Sequence, residues 1–491
     1  MSPAISTLGQ RRSRAGSGGS RAGTTCVWAS ITLKARLPGF IPLCFSAARR
    51  LHIAIDEFTL QTGMIVSSLR VKSIRKSADS SAGRVGGNYV DLLESRIVIV
   101  GAGQAGARAA EALRAAGHRG AVTLIGDEPH PPYERPQLSK KMLLDQQADA
   151  AFIRTTQEWS DLGVTLRTGT RVVTIDLGQR KLALSGGDDV GFDRLLIATG
   201  TRPRRLAALE GATIAVHYLR GIDDALTLRP QLVEGHRVAL VGGGVIGLEV
   251  AAAALSRGCK VTIIERADHL LPQIGSPSLS RFAHDMFVKR GAAVLCKAEL
   301  SDHHASGLML ADGRVVDADV IVVGIGVEPA GELAQQIGLA GVQGIRVDAR
   351  GATECDNIFA AGDVAEQWSA CHDRWLRLEN WANAQNQAIA TARAMVGLDS
   401  RYEAPSWFWS DQFDANIQVV GHPACANEII RGDAGSARFS AISVRDGEVV
   451  GAVSVNNAKD MAMLRRLVAS RKKVDPAALA NPNFDLKRAL A

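Results

Sequence analysis

The chain has 491 residues, 49 of them glycine, and a formal net charge of +7. That length allows roughly two to four domains with a large buried core. Residues 1–95 hold 13 basic and 5 acidic residues, whereas residues 96–491 hold 44 and 45. The body of the chain is therefore nearly neutral, which argues against nucleic acid or an anionic membrane surface as its partner.

Residues 1–94 differ in composition from the rest of the chain. The first 50 residues contain no Asp or Glu, and Arg, Ser and Gly are frequent among them. Three interpretations remain open: translated sequence upstream of the true start, an Arg-rich targeting peptide, or a disordered tail. In each case we expect no packed domain before Ser95.

Seven cysteines are scattered along the chain without C-x-x-C spacing. This pattern predicts reduced thiols and a cytoplasmic location. The longest apolar stretch, Val238–Leu255, contains Glu249 and a cluster of glycines. It predicts a buried strand that turns into a helix, not a membrane span.

A strand–glycine turn–helix–strand pattern occurs twice. The first pattern runs from Arg96 to Ile125 around Gly101-Ala-Gly103-Gln-Ala-Gly106, and the second runs from Arg237 to Ile264 around Gly242-Gly-Gly244-Val-Ile-Gly247. Glycine permits the sharp bend, the approach of the backbone to a pyrophosphate and the close packing of helix on strand. The helix N-terminus adds free N–H groups for the phosphates. The chain is therefore predicted to bind two dinucleotides.

An acidic residue after the second strand of such a unit accepts the ribose hydroxyls. Asp127 and Glu128 follow the second strand of the first unit, and Glu265 stands 23 residues after Gly242 in the second. A third, later turn ends in Asp363.

The order of these patterns predicts an α/β fold with two Rossmann-like domains and a C-terminal α+β domain. We expect the first dinucleotide domain at 95–204 and 319–402, with the second inserted at 205–318. The C-terminal domain is expected at 403–491. Residues 171–200 are predicted to form hairpin strands.

From Arg96 onward the sequence resembles the FAD-dependent ferredoxin reductases of aromatic-ring dioxygenase and P450 electron-transfer systems. The likeness is strongest to the reductase components of benzene- or biphenyl-type dioxygenases, and it covers about 390 residues in order. The segments that carry it are Thr123–His130, Pro132–Lys140, Tyr218–Arg220, Gly244–Glu249, Ala361–Val364, Arg377–Gln387 and Trp407–Gln412.

The resemblance implies the glutathione-reductase-type arrangement of the pyridine nucleotide-disulfide oxidoreductase superfamily, with bound FAD and NADH as the electron donor. It implies electron transfer from NADH through FAD to a [2Fe-2S] ferredoxin, of Rieske or plant/adrenodoxin type, that serves a terminal oxygenase in aromatic hydrocarbon catabolism. No metal in the reductase itself is required.

The resemblance also implies roles for single residues. Lys140 and Glu249 are the expected catalytic pair, with Lys140 near the flavin N5 and Glu249 near the nicotinamide. The FAD-binding residues are expected to be Gly101, Gly103, Ala105, Gly106, Asp127, Lys140, Val172, Arg220, Asp363 and Trp381. The NAD-binding residues are expected to be Gly242, Gly244, Ile246, Gly247, Glu265 and Gly326. One position departs from the family pattern, because Ala330 stands where Asn is usual.

Three other kinds of flavoprotein are alternatives. Disulfide reductases and peroxidases need a redox cysteine in the helix after the first ribose acid, yet residues 129–151 contain no cysteine. An NADH-sensing flavoprotein that resembles apoptosis-inducing factor would change partners on reduction. A diaphorase would reduce only small quinones.

Ferredoxins are generally acidic, so a basic patch is expected to guide their docking. Arg465-Arg466 and Arg471-Lys472-Lys473 are the candidates, although the same run is also typical of a solvated helix face.

Glu265 predicts a preference for NADH over NADPH. A carboxylate about 4 Å from a 2′-phosphate costs roughly 4 kcal/mol per unit charge at an effective dielectric of about 20, which is about a thousandfold in affinity. Arg266, the next residue, would offset part of this cost. We expect a much lower KM for NADH than for NADPH in steady-state assays, and equal KM values would contradict the role of Glu265.

Overall fold

The computed structural model describes residues 92–339, 341–369, 373–425 and 427–490. Apart from residues 92–94, the extension predicted at 1–94 lies outside the described residues. The described residues belong to the unit Val85–Ala491. They form two five-stranded parallel sheets, one five-stranded antiparallel sheet and smaller ladders between them. The α/β class with a C-terminal α+β domain is confirmed.

The first parallel sheet holds the first glycine turn at its centre. Its central strand, Ile97–Val100, is a β-branched run buried on both faces, as expected where helices cover a parallel sheet. Helices Gln104–Ala115 and Trp381–Met395 pack together against it. In spatial order its strands are Ile358–Ala360, Arg194–Ile197, Ile97–Val100, Val122–Ile125 and Val164–Arg167. One edge strand and one covering helix therefore come from late in the chain.

The prediction of hairpin strands through residues 171–200 is wrong at its end. Three antiparallel strands lie between Val172 and Gly191, but Arg194–Ile197 pairs in parallel with Ile97–Val100. An apolar run such as Leu195–Ala198 is equally suited to a hairpin core and to a buried parallel strand, so local sequence does not separate the two.

The second parallel sheet surrounds the second glycine turn, from which helix Val245–Ser256 departs. The turn follows the central strand of the sheet. In spatial order the strands are Ala293–Leu295, Lys260–Ile264, Arg237–Val241, Val320–Val323 and Ala215–His217.

The strand Val320–Val323 corrects the predicted boundary at 318/319. It was expected to return the chain to the first domain, yet it pairs in parallel with Arg237–Val241 of the second sheet. The chain enters the second domain after Thr201–Pro203 and leaves it at Val327–Pro329, and these two connecting strands pair antiparallel. We therefore propose that the inserted domain spans residues 204–326.

The C-terminal domain is an antiparallel sheet with a helix, Ala458–Ser470, packed on one face. The strands Arg438–Arg445 and Glu448–Val455 are buried almost throughout, because the face opposite the helix packs into the core shared with the second domain. In spatial order they are Trp407–Gln412, Ala415–Gly421, Glu448–Val455, Arg438–Arg445 and Asn427–Asp433.

Apart from the 13-residue helix Pro277–Lys289, the remaining elements are short. The other α-helices are Lys141–Leu144, Thr156–Asp161, Ile222–Leu228, Pro277–Lys289, Glu332–Gln336 and Pro476–Ala480. The 3-10 turns are Arg135–Gln137, Ala207–Leu209, Arg229–Gln231, Pro423–Cys425 and Leu486–Leu490. The other strands are Val172–Asp176, Lys181–Leu184, Asp189–Gly191, Leu300–His304, Gly307–Leu310, Val315–Asp317, Ile345–Val347, Ala365–Ser369 and Arg374–Arg377. Within the described ranges, none of the helices has the length and apolar character needed to cross a bilayer.

Candidate functional site

A cavity of about 990 Å³ opens where the three domains meet. Its wall includes the first glycine turn, the start of helix Val245–Ser256, and Phe408 and Trp409 of the C-terminal sheet. Ligand pockets usually measure roughly 300–1,000 Å³, so this cavity suits an extended ligand such as a dinucleotide.

The first glycine turn needs its glycines for close backbone contacts. Gly101 has a φ of +111°, and a Cβ there would lie 2.1 Å from the carbonyl oxygen of Ala198. A Cβ at Gly106 would lie 1.9 Å from the carbonyl oxygen of Gly101. Gly103 is different, because the nearest atom to its Cβ position is Nη2 of Arg135 at 3.9 Å. That open space lies at the helix N-cap, where no side chain caps the free amides. The turn therefore fits a pyrophosphate.

Arg135 is a site residue to which the sequence analysis gave no role. Its guanidinium donates to Glu128 and, at 2.6 Å, to the carbonyl oxygen of Arg220. Tyr133 also donates a hydrogen bond to Glu128. Burial alone would raise the pKa of Glu128, but Arg135 and Tyr133 outweigh it and hold that pKa below its usual value. Arg135 is thus fixed as a cation that faces the first glycine turn.

Asp127 and Glu128 have different surroundings at the end of their strand. Asp127, the predicted FAD ligand, is exposed and lines the cavity. Glu128 also lines the cavity, but its carboxylate is paired with Arg135. Asp127 is therefore the better placed of the two to accept hydrogen bonds from a ribose.

Asp363 and Arg220 meet on the cavity wall. Nη2 of Arg220 lies 3.3 Å from Oδ2 of Asp363, and the hydroxyl of Thr201 donates to the same oxygen at 3.4 Å. Burial lowers the pKa of Arg220, and the nearby Arg135 adds to this effect. Arg135 and Arg220 thus meet on the cavity wall, where each is already paired with a carboxylate and offers its remaining N–H groups to an anionic ligand.

Lys140 and Glu249 form an ion pair between the first and second domains. The distance between Nζ of Lys140 and Oε1 of Glu249 is 2.9 Å. Glu249 is only 3% exposed, and the hydroxyls of Ser139 and Ser410 also donate to its carboxylate. Sequence reasoning paired Lys140 with Glu249 but found neither serine, since nothing local in the sequence connects Ser410 to this site.

Trp381 is the first residue of its helix, and its Nε1 donates to Glu134. Its ring meets Trp409 edge to face with centroids 5.6 Å apart, and Trp409 stacks on Trp407 at the same distance. Arg465 lies 4.4 Å above the ring of Trp407. A row of aromatic rings thus connects the cavity wall with helix Ala458–Ser470.

The second glycine turn repeats the geometry of the first. Gly242 has a φ of +109°, and a Cβ there would lie 2.4 Å from the carbonyl oxygen of Gly324. The carboxylate of Glu265, which is 9% exposed, accepts hydrogen bonds from the amides of Gly243 and Ala267, each at 2.7 Å. Glu265 is therefore held beside the turn, where its position in the sequence predicts contact with a ribose.

The predicted site residues divide into two groups. Those that line the cavity are Gly101, Gly103, Ala105, Asp127, Lys140, Arg220, Ile246, Glu249, Asp363 and Trp381. Those that lie behind or beside its wall are Gly106, Val172, Gly242, Gly244, Gly247, Glu265 and Gly326. Val172 is buried, and the adjacent Arg171 lines the cavity instead.

The departure at Ala330 leaves the local hydrogen bonds in place because they use the backbone. The amide of Ala330 donates to the carbonyl oxygen of Gly200 at 3.0 Å. Its carbonyl oxygen accepts from the hydroxyl of Thr199 at 2.6 Å.

In the part of the chain that the structure describes, no cysteine lines the cavity. Cys259, Cys296 and Cys355 are free thiols outside it. The described residues also contain no cluster of three or more His, Cys, Asp or Glu side chains arranged to hold a metal.

Comparison with known proteins gives consistent matches. The family model "Pyridine nucleotide-disulphide oxidoreductase" matches residues 95–388, and the model "Reductase C-terminal" matches residues 407–490. The chain is 42% identical over 397 residues to the p-cumate 2,3-dioxygenase system ferredoxin–NAD(+) reductase component of Pseudomonas putida. The matched region covers 80% of this chain and 98% of that protein. It is 36% identical to the biphenyl dioxygenase system ferredoxin–NAD(+) reductase component of Paraburkholderia xenovorans, over 80% and 97% of the two chains.

Among solved structures, the covalent putidaredoxin reductase–putidaredoxin complex matches with a TM-score of 0.78 and 32% identity. The match covers 81% of this chain and 98% of that one.

The position of Arg135 generates a prediction about FAD retention. We expect Arg135→Ala to weaken FAD binding by about 10- to 100-fold, because a hydrogen bond to a charged group contributes about 1.5–3 kcal/mol. Fluorescence titration of the flavin-stripped protein with FAD measures this. Arg314→Ala, which removes an exposed arginine paired with Asp312, is the control. Equal affinity in the two variants would show that Arg135 does not hold the phosphates.

Proposed function

Because the chain belongs to the FAD-dependent ferredoxin reductases of the pyridine nucleotide-disulphide oxidoreductase family, we propose that it passes electrons from NADH through FAD to a [2Fe-2S] ferredoxin. That ferredoxin in turn serves a ring-hydroxylating dioxygenase or a P450. The proposal is supported by family membership over both matched regions and by named relatives that are ferredoxin–NAD(+) reductase components.

The observation that carries this proposal is the Lys140–Glu249 ion pair on a cavity shared by two dinucleotide folds. A redox-active disulfide is the feature that disulfide reductases require beside the flavin, and among the described residues the cavity wall has no cysteine. A charged Lys–Glu pair in its place suits transfer of a hydride, for which positioning and electrostatics suffice.

The residues around the first glycine turn fit FAD. The open space at Gly103, the uncapped helix N-terminus and the cations Arg135 and Arg220 suit its pyrophosphate, and Asp127 suits its ribose. When bound, FAD supplies the conversion of a two-electron hydride donor into single electrons for an iron–sulfur protein. We propose that Asp363 and Trp381, both on the cavity wall, complete the FAD site.

The residues around the second glycine turn fit NADH. Glu265 is held in place by two backbone amides beside the turn. Val245 and Ile246, at the start of the following helix, reach the cavity wall, so this helix connects the second turn with the first dinucleotide site. Lys140 carries its charge at the same wall, where we propose that it stabilises negative charge during reduction.

We propose that the docking surface for the ferredoxin includes the basic end of helix Ala458–Ser470. Arg465 on this helix stacks on Trp407, which is in turn stacked on Trp409 of the cavity wall. Arg471 pairs with Glu448, and Lys472 donates to the carbonyl oxygen of Leu490. The charge of Arg471 is therefore partly balanced by Glu448 within the domain. The free thiols of Cys259, Cys296 and Cys355 support the further proposal that the protein works in the cytoplasm.

The central test is stopped-flow reduction of the purified protein. We expect the yellow flavin to be bleached by NADH and then reoxidised over many turnovers by a [2Fe-2S] ferredoxin, with cytochrome c as the final acceptor. Ferricyanide serves as a control acceptor that needs no docking. Reduction by NADH without turnover of any ferredoxin would instead favour an NADH-sensing role similar to that of apoptosis-inducing factor.

Charge reversal tests the docking surface. We expect Arg471→Glu combined with Lys472→Glu to lower ferredoxin-dependent turnover, and to lower it more at low salt, because steering by exposed charges is screened over about 10 Å at 0.1 M salt. Rates with ferricyanide should stay at the wild-type value. If ferricyanide rates fell equally, the variant would have damaged the reductase itself and the docking role would be contradicted.

A further inference from the structure

The strand Trp407–Gln412 faces two different parts of the molecule. Successive side chains of a strand point to opposite faces. Trp407 and Trp409 stack on one face, and Trp409 contacts Trp381. Ser410 and Gln412 lie on the other face and are buried, at 2% and 0% exposure. Buried polar side chains normally form hydrogen bonds, and the hydrogen bonds of Ser410 and Gln412 indicate what Ser410 does.

Ser410 makes its hydrogen bond to Glu249, in the domain that carries the second glycine turn. Its hydroxyl donates to Oε1 of Glu249 at 2.7 Å, the same oxygen that Lys140 approaches at 2.9 Å. Nε2 of Gln412 donates to the hydroxyl oxygen of Ser410 at 3.1 Å. Because Gln412 occupies an acceptor position of this hydroxyl, the proton of Ser410 is directed at Glu249.

The carboxylate of Glu249 is therefore held at both oxygens. Ser139 of the first domain donates to Oε2, while Ser410 of the C-terminal domain donates to Oε1. A buried carboxylate is strongly destabilised unless it is paired and hydrogen-bonded, so each donor matters. Lys140 has a flexible four-carbon stem, and the position of its ammonium group depends on where its partner carboxylate is held.

We propose that Ser410 is a positioning residue for Glu249, through which the C-terminal domain sets the geometry of the Lys140–Glu249 pair. The inference rests on the proposed function, since it assigns Ser410 to the NADH half of that reaction. It also gives strand Trp407–Gln412 two roles, because Trp409 lines the cavity proposed to hold FAD and Ser410 orders the ion pair used with NADH.

A double-mutant cycle tests whether Ser410 acts through Glu249. We expect Ser410→Ala to slow flavin reduction at saturating NADH by about tenfold, or about 1.4 kcal/mol of activation free energy, with little change in the half-saturating NADH concentration. In a Glu249→Gln background the same substitution should change the rate little, because the carboxylate that Ser410 positions is already lost. Ser410→Thr, which keeps the hydroxyl, should restore most of the rate.

Ser443→Ala is the matched control. Ser443 is buried in another strand of the same sheet, at 2% exposure. We expect its rate of flavin reduction to equal that of the wild type. An equal loss of rate in the Ser443 and Ser410 variants, or an undiminished effect of Ser410→Ala in the Glu249→Gln background, would overturn the proposal.

A second readout requires no turnover. We expect Ser410→Ala to raise the rate at which acetic anhydride labels Lys140 in the resting protein, measured by mass spectrometry against the labelling of exposed Lys289. The labelling result is independent of the reaction: wild-type protein that NADH fails to reduce would contradict the proposed function, while unchanged labelling of Lys140 would contradict the role of Ser410.

Discussion

Glu249 is a carboxylate buried at the meeting point of three domains, and the arrangement of the site depends on how it is paired. Lys140 and Ser139 reach it from the first domain and Ser410 from the C-terminal domain, while Glu249 itself belongs to the second. Such a charge costs several kcal/mol to bury when its partners are missing. The three domains must therefore be docked together for this group to be stable, and the same docking closes the cavity wall.

The two glycine turns have the same backbone geometry in two different domains. In each turn the first glycine packs against a carbonyl at the end of a neighbouring strand: Ala198 for Gly101, and Gly324 for Gly242. In each case a Cβ would lie within about 2.4 Å of the carbonyl oxygen. The turns are thus fixed by the neighbouring strands of their sheets as much as by their own sequence. They differ in their electrostatics, because Arg135 faces the first turn and the buried Glu265 lies beside the second.

The sequence predicts what is local and misses what depends on distant packing. Both strand–turn–helix–strand units follow from hydrophobic periodicity and glycine spacing, whereas the C-terminal segment was predicted only as an α+β domain. The strand Val320–Val323 was placed in the wrong sheet because an apolar run does not specify its neighbour. The acid–lysine pair was found through motif resemblance. Arg135 and Ser410 gained no role because their importance arises only when residues far apart in the chain come together.

The connection between the two dinucleotide domains has a mechanical consequence. The chain crosses twice, at Thr201–Pro203 and Val327–Pro329, and the two crossings are hydrogen-bonded to each other as neighbouring strands. Arg202 and Glu328 pair across this ladder at 2.7 Å. The two crossings therefore form one antiparallel ribbon instead of two separate linkers. Glu249 adds a second connection through its contacts with Lys140, Ser139 and Ser410, so the inserted domain is held both by paired backbone and by a buried charge.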